Sequence, residues 1–206
     1  MEINVNEWLQ AADHEVELRR WRDESGGRTK HCVVEHTFTD ISPEMVFWYL
    51  TNFDEESYRM WHPSHIGLLW ENKVAGPGAI HIAWEKIMGK LAAYRIRLDT
   101  PESSPIPPKE TSIAVMLNII DTGGEILLYI LNEVEQAGEQ TKITCTFIFP
   151  EATPDEFVEA HRRHNIEELP GMVNKAAPYL VQKTFGYLIE PEKLAGYGLI
   201  VPADAL

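Results

Sequence analysis

The stretch T-P-D-E-F-V-E-A-H-R-R-H-N-I-E-E-L, Thr153–Leu169, follows a series of strand-like runs and reads as a long helix. Its start carries a capping-box signature, Thr153 followed three residues later by Glu156, with Pro154 at the first helical position. At about a hundred degrees per residue, Phe157, His161, His164, Glu168 and Met172 fall within one stripe. The stripe is apolar at its ends and polar in its middle. Pro170-Gly171 breaks or kinks the helix. Helical pattern resumes from Met172 to Phe185, is interrupted near Pro178, and reads as stopping at Gly186.

Upstream, the order of elements settles what this helix packs against. Residues 1–27 hold a short helix-like piece and a charged segment, R-R-W-R-D-E-S-G-G. T-K-H-C-V-V-E-H-T-F-T, Thr29–Thr39, alternates with period two and is rich in β-branched residues, as a strand is. Ser42-Pro43-Glu44 starts a short apolar helix, M-V-F-W-Y-L-T-N, that ends near Asn52. I-H-I-A-W-E-K-I puts Ile80, Ile82 and Trp84 on one strand face and His81, Ala83 and Glu85 on the other. A-A-Y-R-I-R-L follows, then the Pro-rich loop T-P-E-S-S-P-I-P-P-K. A hairpin about D-T-G-G and a turn at Ala137-Gly138 complete the strands.

A strand, a short helix, several antiparallel strands and a long terminal helix define an α+β, START-like helix-grip fold. In it a curved antiparallel sheet wraps the C-terminal helix around a central cavity. The 206 residues fit one such domain, with 1–27 as an N-terminal extension and 187–206 as a C-terminal tail. Hydrophobic residues make up 44% and charged ones 24%, ordinary for a soluble protein, and the net charge of −14 repels a phosphate backbone, so no nucleic-acid partner is expected. Cys32 and Cys145 lack CxxC spacing and read as buried structural thiols. The N-terminus has no signal-peptide pattern and no stretch approaches a membrane span, so no membrane partner and a cytoplasmic setting are the expectations. M-V-F-W-Y-L is rich in large residues for a single core, which leaves a homodimer open.

The polar middle of the stripe has two readings. Turned inward, His161, His164 and Glu168 cannot find enough partners in a dry core, and two imidazoles with a carboxylate are half of a metal site. Turned outward beside Arg162, Arg163 and Glu167, they are a solvated run. A second cluster, Trp61-His62-Pro63-Ser64-His65, has its backbone fixed by proline and a tryptophan to pack it inward. Its histidines are either both positioned groups, or one bonded to a backbone carbonyl and one exposed. Glu85 shares a strand face with His81; it points into the cavity, where it needs a partner, or lies at a solvated edge. His and Glu ligands suit zinc, with iron or manganese as alternatives. Trp48, Tyr58, Trp70, Tyr94, Met116 and Tyr129 are the other cavity candidates, and they favour a small aromatic or polyketide-like ligand. No P-loop, GxSxG, HExxH or dinucleotide fingerprint occurs.

Two segments carry a family resemblance. Y-R-M-W-H-P-S-H-I, Tyr58–Ile66, and H-N-I-E-E, His164–Glu168, resemble the diacetylphloroglucinol hydrolase family. The resemblance implies a helix-grip fold, zinc held by two histidines and two glutamates, and hydrolysis of the carbon–carbon bond between an acetyl group and a phenolic ring. By motif it assigns metal roles to His164 and Glu168, to one of His62 and His65, and to Glu85. The family segment usually has an acidic residue before its second histidine; here Ser64 directly precedes His65, one residue shorter, which leaves the choice between His62 and His65 open. A cavity tyrosine or histidine, Tyr58 or His81, would protonate the ring carbon. His161 is left a supporting or surface role. The other functions this fold allows are a non-catalytic hydrophobic-ligand binding protein and a metal-independent polyketide cyclase.

Overall fold

The computed structural model describes residues 5–74 and 76–185. The expected stop at Gly186 and the tail 187–206 lie outside the described residues. The N-terminal region is one helix, α1 (Val5–Ser25), longer than the short piece expected. Glu15–Arg19 and Arg20–Glu24 are pairs at i, i+4, with N···O distances of 2.7 and 3.8 Å, and they bridge the charged segment that the sequence presents as a break. Gly26 and Gly27, at φ +56° and +83°, end the helix in a conformation that costs glycine nothing.

The chain continues through β1 (Thr29–Phe38), α2 (Pro43–Asn52), α3 (Glu55–Trp61) and β2 (His65–Asn72). Then come β3 (Ile80–Ile87), β4 (Lys90–Asp99), β5 (Ile113–Ile120), β6 (Ile126–Ala137) and β7 (Gln140–Pro150). The last elements are α4 (Asp155–Gly171), a π-helical turn (Met172–Ala176) and α5 (Ala177–Phe185). The strands form one antiparallel sheet in the order β1-β7-β6-β5-β4-β3-β2. The two edge strands, β1 and β2, are joined by the α2–α3 pair, so the sheet's edges are brought round the helices. This is the α+β, START-like helix-grip arrangement.

Strand alternation decides what meets α4. Leu117, Ile119, Ile130, Ile143 and Phe147 look inward and share a cavity with the α4 stripe. On the opposite face, the Pro-rich connection after β4 folds back over β6, and the Lys109 N–H donates to the buried Glu133 carboxylate at 2.7 Å. Helix α1 packs mainly on β4. The Ser25 hydroxyl donates to Trp21 O at 2.6 Å and accepts from Ala152 N at 2.9 Å, which ties the end of α1 to the turn before α4.

Two expectations about α4 change. The helix starts one residue later than read, with Pro154 at the cap position and no side-chain cap. Thr153 is spent on a turn, its N–H donating to Pro150 O at 3.0 Å, and among the described residues its hydroxyl has no partner. At the other end Pro170 does not stop the helix. Met172 N reaches both Glu168 O and Leu169 O, and the chain widens into the π turn before α5 begins. Among the described residues, no helix is long and apolar enough to cross a membrane.

Gly171 marks a close approach of α4 to α3. A Cβ placed there would lie 1.9 Å from Trp61 O, inside any tolerated contact with a backbone atom. Gly171→Ala should therefore lower the free energy of unfolding by about 3 kcal/mol. Urea denaturation of the two proteins measures this, and an unchanged midpoint would contradict the close approach.

Candidate metal centre and cavity

The first half of the centre is built by α3 and the turn after it. Asp54 caps α3 by accepting from Ser57 N at 2.8 Å, and the Ser57 hydroxyl meets Asp54 N at 3.1 Å in return. Neither this helix nor β2 is part of the expected order of elements, which has only the Trp61–His65 cluster there. The helix ends at Trp61, and His65 N donates to His62 O at 3.0 Å, closing a turn through Pro63 and Ser64. His65 thereby becomes the first residue of β2, where it pairs directly with Glu85 of β3. Direct cross-strand partners present their side chains on the same face, so one register fixes both groups.

The turn separates the two histidines. His65 is buried, and its Nδ1–H donates to Tyr58 O at 3.0 Å, leaving Nε2 with a bare lone pair. His62 Nδ1 instead accepts from Ser64 N at 3.1 Å, so its Nε2 carries the hydrogen. That Nε2 lies 3.6 Å from Glu167 Oε2, at the rim. His65 faces the cluster and His62 does not.

The second half comes from α4, where His164 and Glu168 sit one turn apart. His164 Nε2 is 3.3 Å from His65 Nε2. Glu168 Oε2 lies 3.2 Å from His65 Nε2 and 3.5 Å from His164 Nε2. Glu85 approaches from the sheet, with oxygens 3.9 Å from His65 Nε2 and 3.6 Å from His164 Nε2. The remaining Glu168 oxygen accepts from Asn165 Nδ2 at 3.0 Å, and Asn165 Oδ1 lies 3.0 Å from His36 Nε2. Burial alone would raise the Glu168 pKa, but His164, His65 and the Asn165 amide together hold it at about 2. Burial likewise opposes charge on His65, while Glu168 and Glu85 raise its pKa.

This donor set fits a divalent cation. The two imidazole nitrogens and a Glu168 oxygen lie within 4.8 Å of one another, Glu85 stands beside them from the sheet, and the His65 tautomer is fixed so that its lone pair faces inward. Acceptors so arranged repel unless a proton or a cation lies among them. Two His nitrogens with carboxylate oxygens are a donor type that zinc takes.

Of the two residues expected to move protons, Tyr58 borders the cluster and His81 is remote from it. The Tyr58 hydroxyl donates to Glu85 Oε1, and its ring stacks on His65 with centroids 4.2 Å apart. His81 lies on the Glu85 face but four residues away, roughly 13 Å along the strand. It packs edge-on against Phe53, and its Nδ1 has no partner among the described residues. His161, given a supporting or surface role from sequence, is buried deep in the wall. Its signal was its place on the stripe beside Phe157, whose carbonyl it binds at 2.9 Å.

The cavity itself measures about 100 Å³. Of the aromatic and apolar residues expected to line it, Tyr58 and Tyr94 do. Met116 and Tyr129 alternate onto the opposite face, because Leu117 and Ile130 take the inward positions. Trp48 and Trp70 pack against the core from its margin, and Trp70 Nε1 donates to Phe53 O at 3.2 Å.

Comparison with known proteins places the fold and goes no further. No family model matches the chain, and no curated protein matches its sequence. Among solved structures, Ara h 8.0201 is similar with a TM-score of 0.50 and 16% identity, over 75% of this chain and 99% of that one. The KanY protein is similar with a TM-score of 0.53 and 11% identity, over 72% of this chain and 98% of that one. The likeness is one of fold: the chain is a helix-grip protein with an internal cavity.

His81 and His161 in the cavity wall, and the part-buried His14 behind Tyr94, are held in their neutral forms. Burial lowers His81 to about 3 and His161 to about 4, and burial with nearby Lys90 lowers His14 to about 4. Each folded value lies below the ordinary 6.5, so as pH falls the unfolded chain takes up protons first. Their stabilisation is complete above 6.5 and drains away down to 3–4. His81→Leu should flatten this loss by about 1.4 kcal/mol per pH unit between 6 and 4. Denaturant titrations across that range measure it, and parallel profiles for the two proteins would contradict a neutral His81.

Proposed function

We propose that this chain binds a small, mainly apolar, carbonyl-bearing aromatic molecule in the helix-grip cavity. The lining carries the reading: Leu117, Ile119, Ile130 and Phe147 form an apolar wall, and polar side chains such as Glu85, Tyr94 and His161 complete it. An apolar cavity of ~150 Å³ holds a single benzene ring. At about 100 Å³ this one suits a ring of that size only with some side-chain movement. Ile130→Trp, which fills the space, should weaken binding of a single-ring carbonyl compound such as benzaldehyde at least about tenfold. Calorimetry with the folded variant checks this; equal affinity would move the ligand elsewhere.

A second reading rests on the four-residue cluster. In it the chain is a zinc-dependent hydrolase, resembling the diacetylphloroglucinol hydrolase family, that cleaves the carbon–carbon bond between an acyl group and a phenolic ring. His65, His164, Glu168 and Glu85 would hold the ion. A bound zinc ion supplies a Lewis acid for a carbonyl and lowers the pKa of a water. The protein's own groups do the positioning. The Tyr58 carbonyl sets the His65 tautomer, the Tyr58 hydroxyl orients Glu85, and His36 through Asn165 orients Glu168. The apolar wall excludes bulk water and turns the ring toward the cluster.

Metal analysis separates the readings. Protein purified without a histidine tag should carry close to one equivalent of zinc, and His164→Ala should lose metal and turnover of diacetylphloroglucinol together. Less than about a tenth of an equivalent of any transition metal in the parent protein would sink the metal reading. Turnover that survives a strong zinc chelator would instead favour a metal-independent cyclase-type activity, and ligand binding without turnover a carrier.

A further inference from the structure

Helix α1 brings a histidine to the back wall of the cavity, and the hydrogen bonds there have a direction. His161 Nδ1 lies 2.9 Å from Phe157 O, which can only accept, so Nδ1 carries the hydrogen and Nε2 offers a lone pair. Tyr94 OH lies 3.3 Å from that Nε2 and must donate to it. Its single proton is then used, so the contact from His14 Nε2, at 3.0 Å, has to be donated by His14. The order is His14 Nε2–H to Tyr94 O–H to His161 Nε2.

The two ends of this chain open onto different spaces. Tyr94 and His161 line the interior cavity. His14 lines a separate surface groove with Glu17, Lys90 and Glu156. Its Nδ1 turns toward the exposed Glu17 carboxylate at 3.8 Å. Pairing of Tyr94 with Ala83 sets the tyrosine beside Glu85, on the same sheet face as the cluster.

We propose that His14 and Tyr94 form a directed proton relay between the surface groove and the cavity, with His161 positioning Tyr94 as the proton donor to the bound molecule. This rests on the hydrolase reading for the identity of the acceptor, but not for the relay. As the carbon–acyl bond breaks, its electron pair stays on the ring carbon, which takes the Tyr94 hydroxyl proton. The phenolate oxygen takes the proton of His14 Nε2, and His14 Nδ1 takes one from water in the groove. The acyl carbon gains hydroxide from the hydrolytic water, whose second proton returns to solvent, so the sum is one water added across the bond. His161 is a positioning residue that aims the hydroxyl while the cavity is empty.

His14→Gln tests the relay, because glutamine keeps an N–H donor for Tyr94 and cannot pass a proton on. Exchange of the Tyr94 hydroxyl hydrogen with solvent is read from the deuterium isotope shift on its ring carbon-13 signal, which Tyr94→Phe identifies by its loss. His14→Gln should slow this exchange at least about tenfold. With diacetylphloroglucinol as substrate, Tyr94→Phe should lower kcat at least about a hundredfold, with KM and bound zinc unchanged, and His14→Gln should lower kcat as well. Unchanged exchange in His14→Gln, or unchanged kcat in Tyr94→Phe, would overturn the proposal. If the parent protein does not turn over the substrate, the hydrolase reading fails by itself and the exchange rate alone decides the relay.

Discussion

A buried carboxylate must be matched, and in this molecule two of them, Glu85 and Glu168, are turned into the same space. Most of the architecture around that space serves to match them. His65 is held by a backbone carbonyl, Glu85 by a tyrosine hydroxyl, and Glu168 by an amide that is itself held by His36. Two of these bonds come from Tyr58 of α3 and the others from α4 and β1, so the cluster is the point at which α3, β1, β2, β3 and α4 agree. A proton or a cation among these acceptors offsets their repulsion, and the surrounding bonds fix which atoms face inward.

The cavity has two kinds of polar wall. At one end the side chains converge as acceptors around a common point. At the other, His14, Tyr94 and His161 run in single file from the groove to the interior. The N-terminal helix therefore backs the cavity wall through the bond from His14 to Tyr94, although in sequence it looks like an appendage. Its ties to the turn before α4 through Ser25, and its packing on β4, hold His14 at the distance the file requires.

Much of the fold was legible because alternation and punctuation are local. The strand β3 read correctly down to its faces, and Ser42-Pro43 marked the start of α2 as the structure has it. The stripe on α4 was legible too, since a helix face follows from spacing alone. What stayed hidden depended on partners distant in sequence. Nothing local distinguishes His62 from His65; the difference is made by a turn that closes on itself and by a register with Glu85. The short α3 was concealed by the histidines at its end, although Asp54 and Ser57 carried the capping signal. Met116 and Tyr129 were assigned inward by residue type, whereas strand parity turns them outward. The role of His161 needed Tyr94 and His14, which lie on two other elements.

The contact between Gly171 and the Trp61 carbonyl bears on how such a centre could be recognised or transplanted. Trp61 belongs to the helix that delivers His65, and Gly171 to the one that delivers His164 and Glu168. Any side chain at 171 would push those helices roughly 1.5 Å apart before normal contact returned. Metal–ligand bonds tolerate only about ±0.2 Å. A glycine outside the cluster thus acts as the spacer that sets its gauge, and copying the histidines and glutamates into another helix-grip scaffold without it would reproduce the residues and lose their spacing.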